Sequence, residues 1–192
     1  VLDDASLVMK NDFGVITNNG TVSMSRETSS FKRFDYVYWS SSVDGQTSNA
    51  IYTTPTPGTK YRWNTTLNNG NGNFGNISQG NWEGAGGIMT RGRGYIVRGS
   101  NNINSVATNI NATFTGIPHN GTIPYTVSRG VYTGIPYAGL NGSQVTNLDD
   151  NLNLLGNPYP SAINALEFLA VNALHDDNPS GILMGSVDLW TH

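Results

Sequence analysis

Asp176, Asn178 and Ser180 stand at positions 1, 3 and 5 of the run DDNPSG, with Gly181 at position 6. That spacing is how a Ca²⁺ loop wraps oxygen ligands round a hard cation, the glycine allowing the sharp bend. Position 12, where a bidentate glutamate closes such a loop, is Val187, and Pro179 stiffens the turn. A capped turn after a helix accounts for the same residues, so calcium is one reading of them and no other cofactor is expected. Asp149, Asn151 and Asn153 repeat the spacing without a glycine.

The other chemistry-bearing residues are aromatic, cationic and acidic. Trp39, Trp63, Trp82 and Trp190 offer flat apolar faces on which a sugar ring could stack. Trp82, in GNWEGAGG, reads as carried on a loop and is the expected ligand-binding one; Trp63 and Trp190 read as core residues. Arg91, Arg93 and Arg98 in TRGRGYIVR could grip a carboxylate or sulfate bidentately, or simply flank a strand. His119, His175 and His192 fall on a hairpin tip, a helix end and the terminus, and no G-x-S-x-G elbow accompanies them. Glycosidase chemistry needs two carboxylates held some 5–10 Å apart. Asp35 and Asp188 are the best pair to name, with strand-end hydrogen bonding as the plainer role. No catalytic residue is assigned, and the chain reads as a non-enzyme.

Composition sets the context for these residues. Only 12% of the chain is charged, about half the usual share, and Gly, Asn, Ser and Thr fill the gap. A net charge of −3 with scattered cations argues against nucleic acid as a partner. There is no cysteine, which excludes disulfides, thiolate chemistry and Cys-ligated metals. No run of apolar residues is long enough to span a membrane. The sequons at Asn19, Asn64, Asn76, Asn111, Asn120 and Asn141 are what an Asn- and Thr-rich chain yields by chance. A start at Val1 and a stop inside VDLWTH read as a processed piece or fragment.

The elements that must position the candidate residues are mostly strands. Residues 4–26 alternate short β-type runs with Gly and Asn turns, NNGT being a hairpin signal. FKRFDYVYWSSSVDG sets Phe34, Tyr36 and Tyr38 on one side of a strand. A short strand runs from Tyr61 to Asn64, and 67–81 is an Asn/Gly-rich loop. GGIMTRGRGYIVRG predicts a turn over Gly92 to Gly94 and a buried strand from Tyr95 to Val97. Residues 105–130 predict two strands joined by PHNGT as a hairpin. Leu152 to Leu155 predicts a strand, GNPYP a turn, and Ser161 the cap of a helix running to about Leu174. Ile163, Leu166, Leu169, Ala170 and Ala173 form the stripe expected to face apolar partners. The order apolar strand, Pro-rich or small-residue turn, spacer and Trp-bearing strand occurs at 34–64 and again at 152–191, a weak internal echo.

SFKRFDYVYWSSSVDGQ, MTRGRGYIVRG, ATFTGIPHNGTIPYTV and NLLGNPYPSAINALEFLAVNA…GILMGSVDLWTH together resemble a module of large secreted surface proteins of Flavobacterium-like Bacteroidetes. Those proteins are adhesins and other cargo of the type IX secretion system, and the module lies upstream of their C-terminal sorting domain. The resemblance implies an extracellular or outer-surface location on a Gram-negative bacterium and the type IX secretion machinery as a partner. It also implies a non-catalytic role in adhesion or structural display, towards a glycan or protein ligand. A glycan-binding accessory module of a secreted polysaccharide-degrading enzyme is the alternative. The expected fold is mainly β, an antiparallel β-sandwich-like body with long Asn/Gly-rich loops and one short helix at about 161–174. Its parts would be N-terminal rungs or a hairpin at 1–30, the rungs being the end of a preceding solenoid, and the sandwich module at 31–150. Residues 151–192 would open a truncated second unit or complete the same sheet.

Overall fold

In the computed structural model of the chain, the described residues are 2–14, 16, 20–52, 59–66, 81–99, 106–130, 137–138, 144–145, 152–183 and 187. The protein is mainly β, with two larger sheets whose inner faces share one core. The first sheet has the order β1-β2-β7, from Leu2–Asp3, Val22–Glu27 and Asn111–Gly116. The second has the order β3-β6-β4-β5, from Tyr36–Trp39, Tyr95–Arg98, Lys60–Trp63 and Trp82–Gly84. Two short strands, β8 (Tyr137–Ala138) and β9 (Gln144–Val145), pair with each other. All of these pairings are antiparallel except β1 with β2, which run parallel; of the rungs or hairpin expected at 1–30, this pair is not a hairpin.

Period-two alternation decides which face is buried. In β2 and β7 the register sets Met24 opposite Phe114 and Arg26 opposite Ala112, with Val22 two residues along. Met24, Ala112 and Phe114 are buried in the core. The alternate residues are polar: Ser23 Oγ and Thr115 Oγ1 pair across the strands at 2.9 Å. In the second sheet Val37 lies opposite Val97 and Trp39 opposite Tyr95, and this is the face that packs inward. Phe34, Tyr36 and Tyr38 belong to the other side, and Phe34 is 70% exposed between the guanidinium groups of Arg33 and Arg98. The β-branched valines and Trp39 win the interior because the β2–β7 face opposite them is built from Met24, Ala112 and Phe114.

The two faces meet directly. The Trp39 and Phe114 ring centroids are 5.6 Å apart, and Trp39 meets Tyr52 edge-on at 6.2 Å while donating its indole N–H to the Tyr52 hydroxyl at 3.0 Å. Val43, Ile51, Ala85 and Met89, from the connections, close the same core. Burial pushes the Tyr52 hydroxyl up to about 12, the Trp39 bond opposing the shift.

Three expected elements differ. Only one strand, β7, lies in 106–130: beyond Gly116 the chain passes through the PHNGT turn into extended segments without a ladder. Proline at 118 and 124 removes the N–H groups that a paired return strand would need. The turn is instead pinned to the N-terminal loop, the Asn120 amide donating to Asn11 O at 2.7 Å and Gly14 O at 3.1 Å. Leu152–Leu155 makes no strand but a single bridge, Leu155 to Arg93.

Helix α1 spans Ala165–Asn172 and is capped by Asn164, whose side chain accepts from Leu166 N and Glu167 N, rather than by Ser161. Ala165, Phe168, Leu169 and Asn172 are its half-buried face, whereas Leu166 is 77% exposed. The buried row is therefore not the expected stripe: it is the i, i+3, i+4, i+7 set 165, 168, 169 and 172, in a helix whose cap lies three residues later than Ser161.

The segment 152–160 is tied into the sandwich body. Gly94 N donates to Leu154 O, Gly156 N to Gly92 O, Ser40 Oγ to Asn157 O, and Tyr159 Oη to Gly121 O. The internal echo has no matching geometry over its described part: residues 36–39 form a sheet strand, residues 152–155 do not, and the spacer is a 3₁₀ turn at Ser48–Ala50 in one and α1 in the other.

Candidate functional site

Polar side chains from several segments line a cleft of about 250 Å³. It is lined by the ends of β4 and β5, by the Gly92-Arg93-Gly94 turn, by Tyr125 to Ser128, and by Asn153 and Leu154. Antiparallel pairing of β4 with β5 sets Trp63 opposite Trp82 and Arg62 opposite Glu83. The two indoles meet edge-on, 5.0 Å between centroids. Arg62 Nε donates to Glu83 Oε1 at 2.6 Å. Burial alone would push the Glu83 carboxyl up, but hydrogen bonds from Arg62 and Asn64 and the charges of Arg62 and Arg93 outweigh it and hold the group below the usual range.

Two glycines place Arg93. Gly92 has φ +75°, a left-handed conformation that turns the chain beneath Tyr125. Gly94 lies so near the next segment that a Cβ there would come within 2.6 Å of Leu154 Cγ. The arginine between them donates from Nε to the Tyr125 hydroxyl at 2.9 Å, with its guanidinium 5.7 Å from that ring's centroid. The far wall is fixed by Asn153, whose side chain accepts from Ser128 N and donates to Ser128 O, and by the paired hydroxyls of Thr65 and Ser128. Trp63 donates its indole N–H to Leu152 O at 2.9 Å, which joins the strand edge to the same segment.

The residues singled out from sequence meet this geometry unevenly. Trp82 lies on strand β5, half-buried against Trp63, and not on a loop. Of the arginines, Arg93 reaches the cleft, Arg91 spends its fork on Asp44 with bonds of 2.8 and 2.6 Å, and Arg98 lies over Phe34. Asn178 donates from Nδ2 to Val171 O and Ala173 O, closing the carbonyls at the end of α1, and the turn is completed by paired backbone bonds between His175 and Asn178. Asp176 and Ser180 are exposed on that turn. Among the described residues no group of three or more His, Cys, Asp or Glu side chains is placed to hold a metal.

His119 is buried, with Nδ1 2.9 Å from Pro158 O and Nε2 3.1 Å from Asp44 Oδ1. It thereby links the chain after β7, the turn at Asp44 and the NPYP segment, while His175 lies apart and exposed, with Nε2 3.1 Å from Ala170 O. Asp35 accepts from Lys32 N in an exposed turn. Asp149, Asn151, Asp188, Trp190 and His192 lie outside the described residues.

The Arg62–Glu83 pair and Tyr125 are not evident residue by residue. A signal for the pair was nonetheless present: YRWN and NWEG read in opposite directions set tryptophan against tryptophan and arginine against glutamate.

With this geometry in place, comparison with known proteins gives one match: the model of a family described as Domain of unknown function (DUF8693) matches residues 1–192. No curated protein and no solved structure matches.

Proposed function

We propose that this chain, which belongs to the DUF8693 family, is a non-catalytic, extracellular binding module of a large secreted bacterial surface protein. On this reading it serves adhesion or display at the outer surface of a Gram-negative bacterium and is exported by the type IX secretion system. The observation that carries the binding role is the cleft, where side chains from five separate segments are held in place by bonds to one another before any ligand arrives. Such preorganisation lowers the ordering cost of binding. The state of Glu83 supports binding over proton transfer: a general acid or base works best with its pKa near the operating pH, and Arg62 and Arg93 draw Glu83 the other way.

A glycan-binding accessory role is the second reading, favoured by Trp63. Its half-buried indole, met edge-on by Trp82, is one lining residue beside the neutral Asn64, Thr65, Thr126, Ser128 and Asn153 and the charged Arg62, Glu83 and Arg93. A lining with many side-chain donors and acceptors suits a ligand bearing several hydroxyl groups. The test is binding of the full chain to a glycan array and to cell surfaces, with Trp63→Ala and Trp82→Ala beside it. Loss of both glycan and surface binding in the variants supports the glycan role. Surface attachment that survives both variants, without glycan binding, moves adhesion to another face.

A further inference from the structure

Among the ionisable side chains of the cleft, Arg93 and Arg62 each engage a protein acceptor through Nε alone, Arg93 with the Tyr125 hydroxyl and Arg62 with Glu83. Neither arginine's terminal nitrogens donate to any described residue. The charged lining is two arginines against one glutamate, an excess of one positive charge in a chain whose net charge is −3. An arginine whose Nε is anchored and whose plane lies near an aromatic ring has lost much of its freedom, and its terminal nitrogens match the two oxygens of a planar or tetrahedral oxyanion. At about 250 Å³ the cleft falls below the roughly 300–1,000 Å³ that takes a drug-sized ligand. That is room for one ring and its substituent.

We infer that the cleft takes an acidic sugar residue, with Arg93 gripping its carboxylate or sulfate and the side chains of Asn64, Thr65, Thr126 and Ser128 meeting its hydroxyl groups. This rests on the glycan reading above and adds the ligand's charge. Arg62 contributes a second cationic edge while Glu83 fixes its direction. Tyr125 is a positioning residue: its hydroxyl holds Nε of Arg93 and so fixes the guanidinium in the wall of the cleft. Gly92 and Gly94 let the Arg93 backbone approach Tyr125 and Leu154 closely enough for this.

The experiment titrates the full chain, by tryptophan fluorescence and calorimetry at about 0.1 M salt, with three hexasaccharides: oligogalacturonate, a sulfated galactan and a neutral galactan. A hexaglutamate peptide serves as a non-sugar acid. At least one acidic sugar is expected to bind about tenfold or more tighter than the neutral one, and which of the two does so names the oxyanion. Arg93→Lys keeps the charge and loses the fork, and should weaken acidic binding by about tenfold or more while leaving the neutral sugar unchanged. Tyr125→Phe, which keeps the ring, should cause a smaller loss in the same direction.

Melting curves of each variant identify any that fail to fold, and Tyr125→Phe then carries the test alone. Equal binding of acidic and neutral sugars, or an unaffected Arg93→Lys, overturns the oxyanion and leaves the glycan reading standing. Hexaglutamate binding as well as the acidic sugar overturns the sugar. Failure of all three hexasaccharides, with surface attachment intact, sinks both.

Discussion

Gly156→Ala tests whether 152–160 belongs to the sandwich body. A Cβ on Gly156 would lie 2.9 Å from the Arg93 carbonyl oxygen and nearer still to Cβ of Ser40. Both are held by the backbone, so relief requires the segment to lift. Overpacking of this kind costs about 1–3 kcal/mol. Lifting also breaks the bond from Ser40 Oγ to Asn157 O, about 0.5–1.5 kcal/mol. The stiffer unfolded chain returns about 0.4–1 kcal/mol, leaving a net loss centred on about 2 kcal/mol. For a chain of 192 residues each kcal/mol shifts Tm by about 2–4 °C, so a drop of about 4–8 °C is expected in a melt followed by circular dichroism. Gly86→Ala is the control: a Cβ there meets nothing within 4 Å, and it should leave Tm unchanged or raise it slightly. Ser40→Gly in the Gly156→Ala chain removes one of the two clashes and should recover part of the loss, the signature of two residues in contact. If Gly156→Ala and Gly86→Ala melt together, the segment is not docked as described, and the cleft it walls is not as described either.

Acid stability follows from Asp44 and Glu83. Burial pushes the Asp44 carboxyl up, but bonds and charge from Arg91 and His119 outweigh this and hold it below its usual value. A carboxyl depressed by folding contributes stability that is full above its unfolded pKa and is lost as pH falls through the folded one. The wild-type chain should therefore lose stability below about pH 4, and Asp44→Asn or Glu83→Gln should each flatten that limb in pH-dependent urea melts. At the alkaline end the sign reverses. Tyr52, raised to about 12 chiefly by burial, contributes stability that is full below its unfolded pKa near 10 and lost as pH rises through about 12. Tyr52→Phe should remove part of that dependence, at the cost of the Trp39 bond. Ile51 is fully buried, so Ile51→Ala should cost about 2–5 kcal/mol in denaturant unfolding. Asn178→Ala should destabilise by roughly 1 kcal/mol if its amide acts as a helix-end cap. A wild-type melt raised by millimolar Ca²⁺ and lost in Asp176→Ala would instead give the turn to calcium.

What could be read without coordinates was local. YIVR, with valine and isoleucine between glycine turns, announced a buried strand, and β6 is buried at Tyr95, Ile96 and Val97. VSMSRE and NATFTG carry clear polar–apolar alternation, which explains why β2 and β7 form the most regular ladder. What could not be read was pairing across distance. Tyr36, Val37, Tyr38 and Trp39 are apolar on both faces, so period two alone could not say which side is the interior. That choice belongs to Met24 and Phe114, which reach it from other parts of the chain. Helix α1 lies inside the expected 161–174 but starts later for a related reason: serine and asparagine are both good caps, and Asn164 rather than Ser161 fills that place.

The same division runs through the candidate site. Trp82 was visible as a residue type, yet its role depends on standing opposite Trp63, a consequence of strand register. Arg93 was one of three arginines with similar neighbours. Asp44 neutralises Arg91, Phe34 sits under Arg98, and Arg93 keeps its terminal nitrogens because Tyr125 takes only the Nε. Selecting one cation from a basic-looking stretch is thus done by its partners' positions. The glycines on either side of Arg93 are the part of that selection written locally, since one needs a positive φ and the other meets Leu154. Substituting either would leave the charge of the cleft unchanged while moving the fork, which is why binding, rather than net charge or stability, is the property that reports on Arg93.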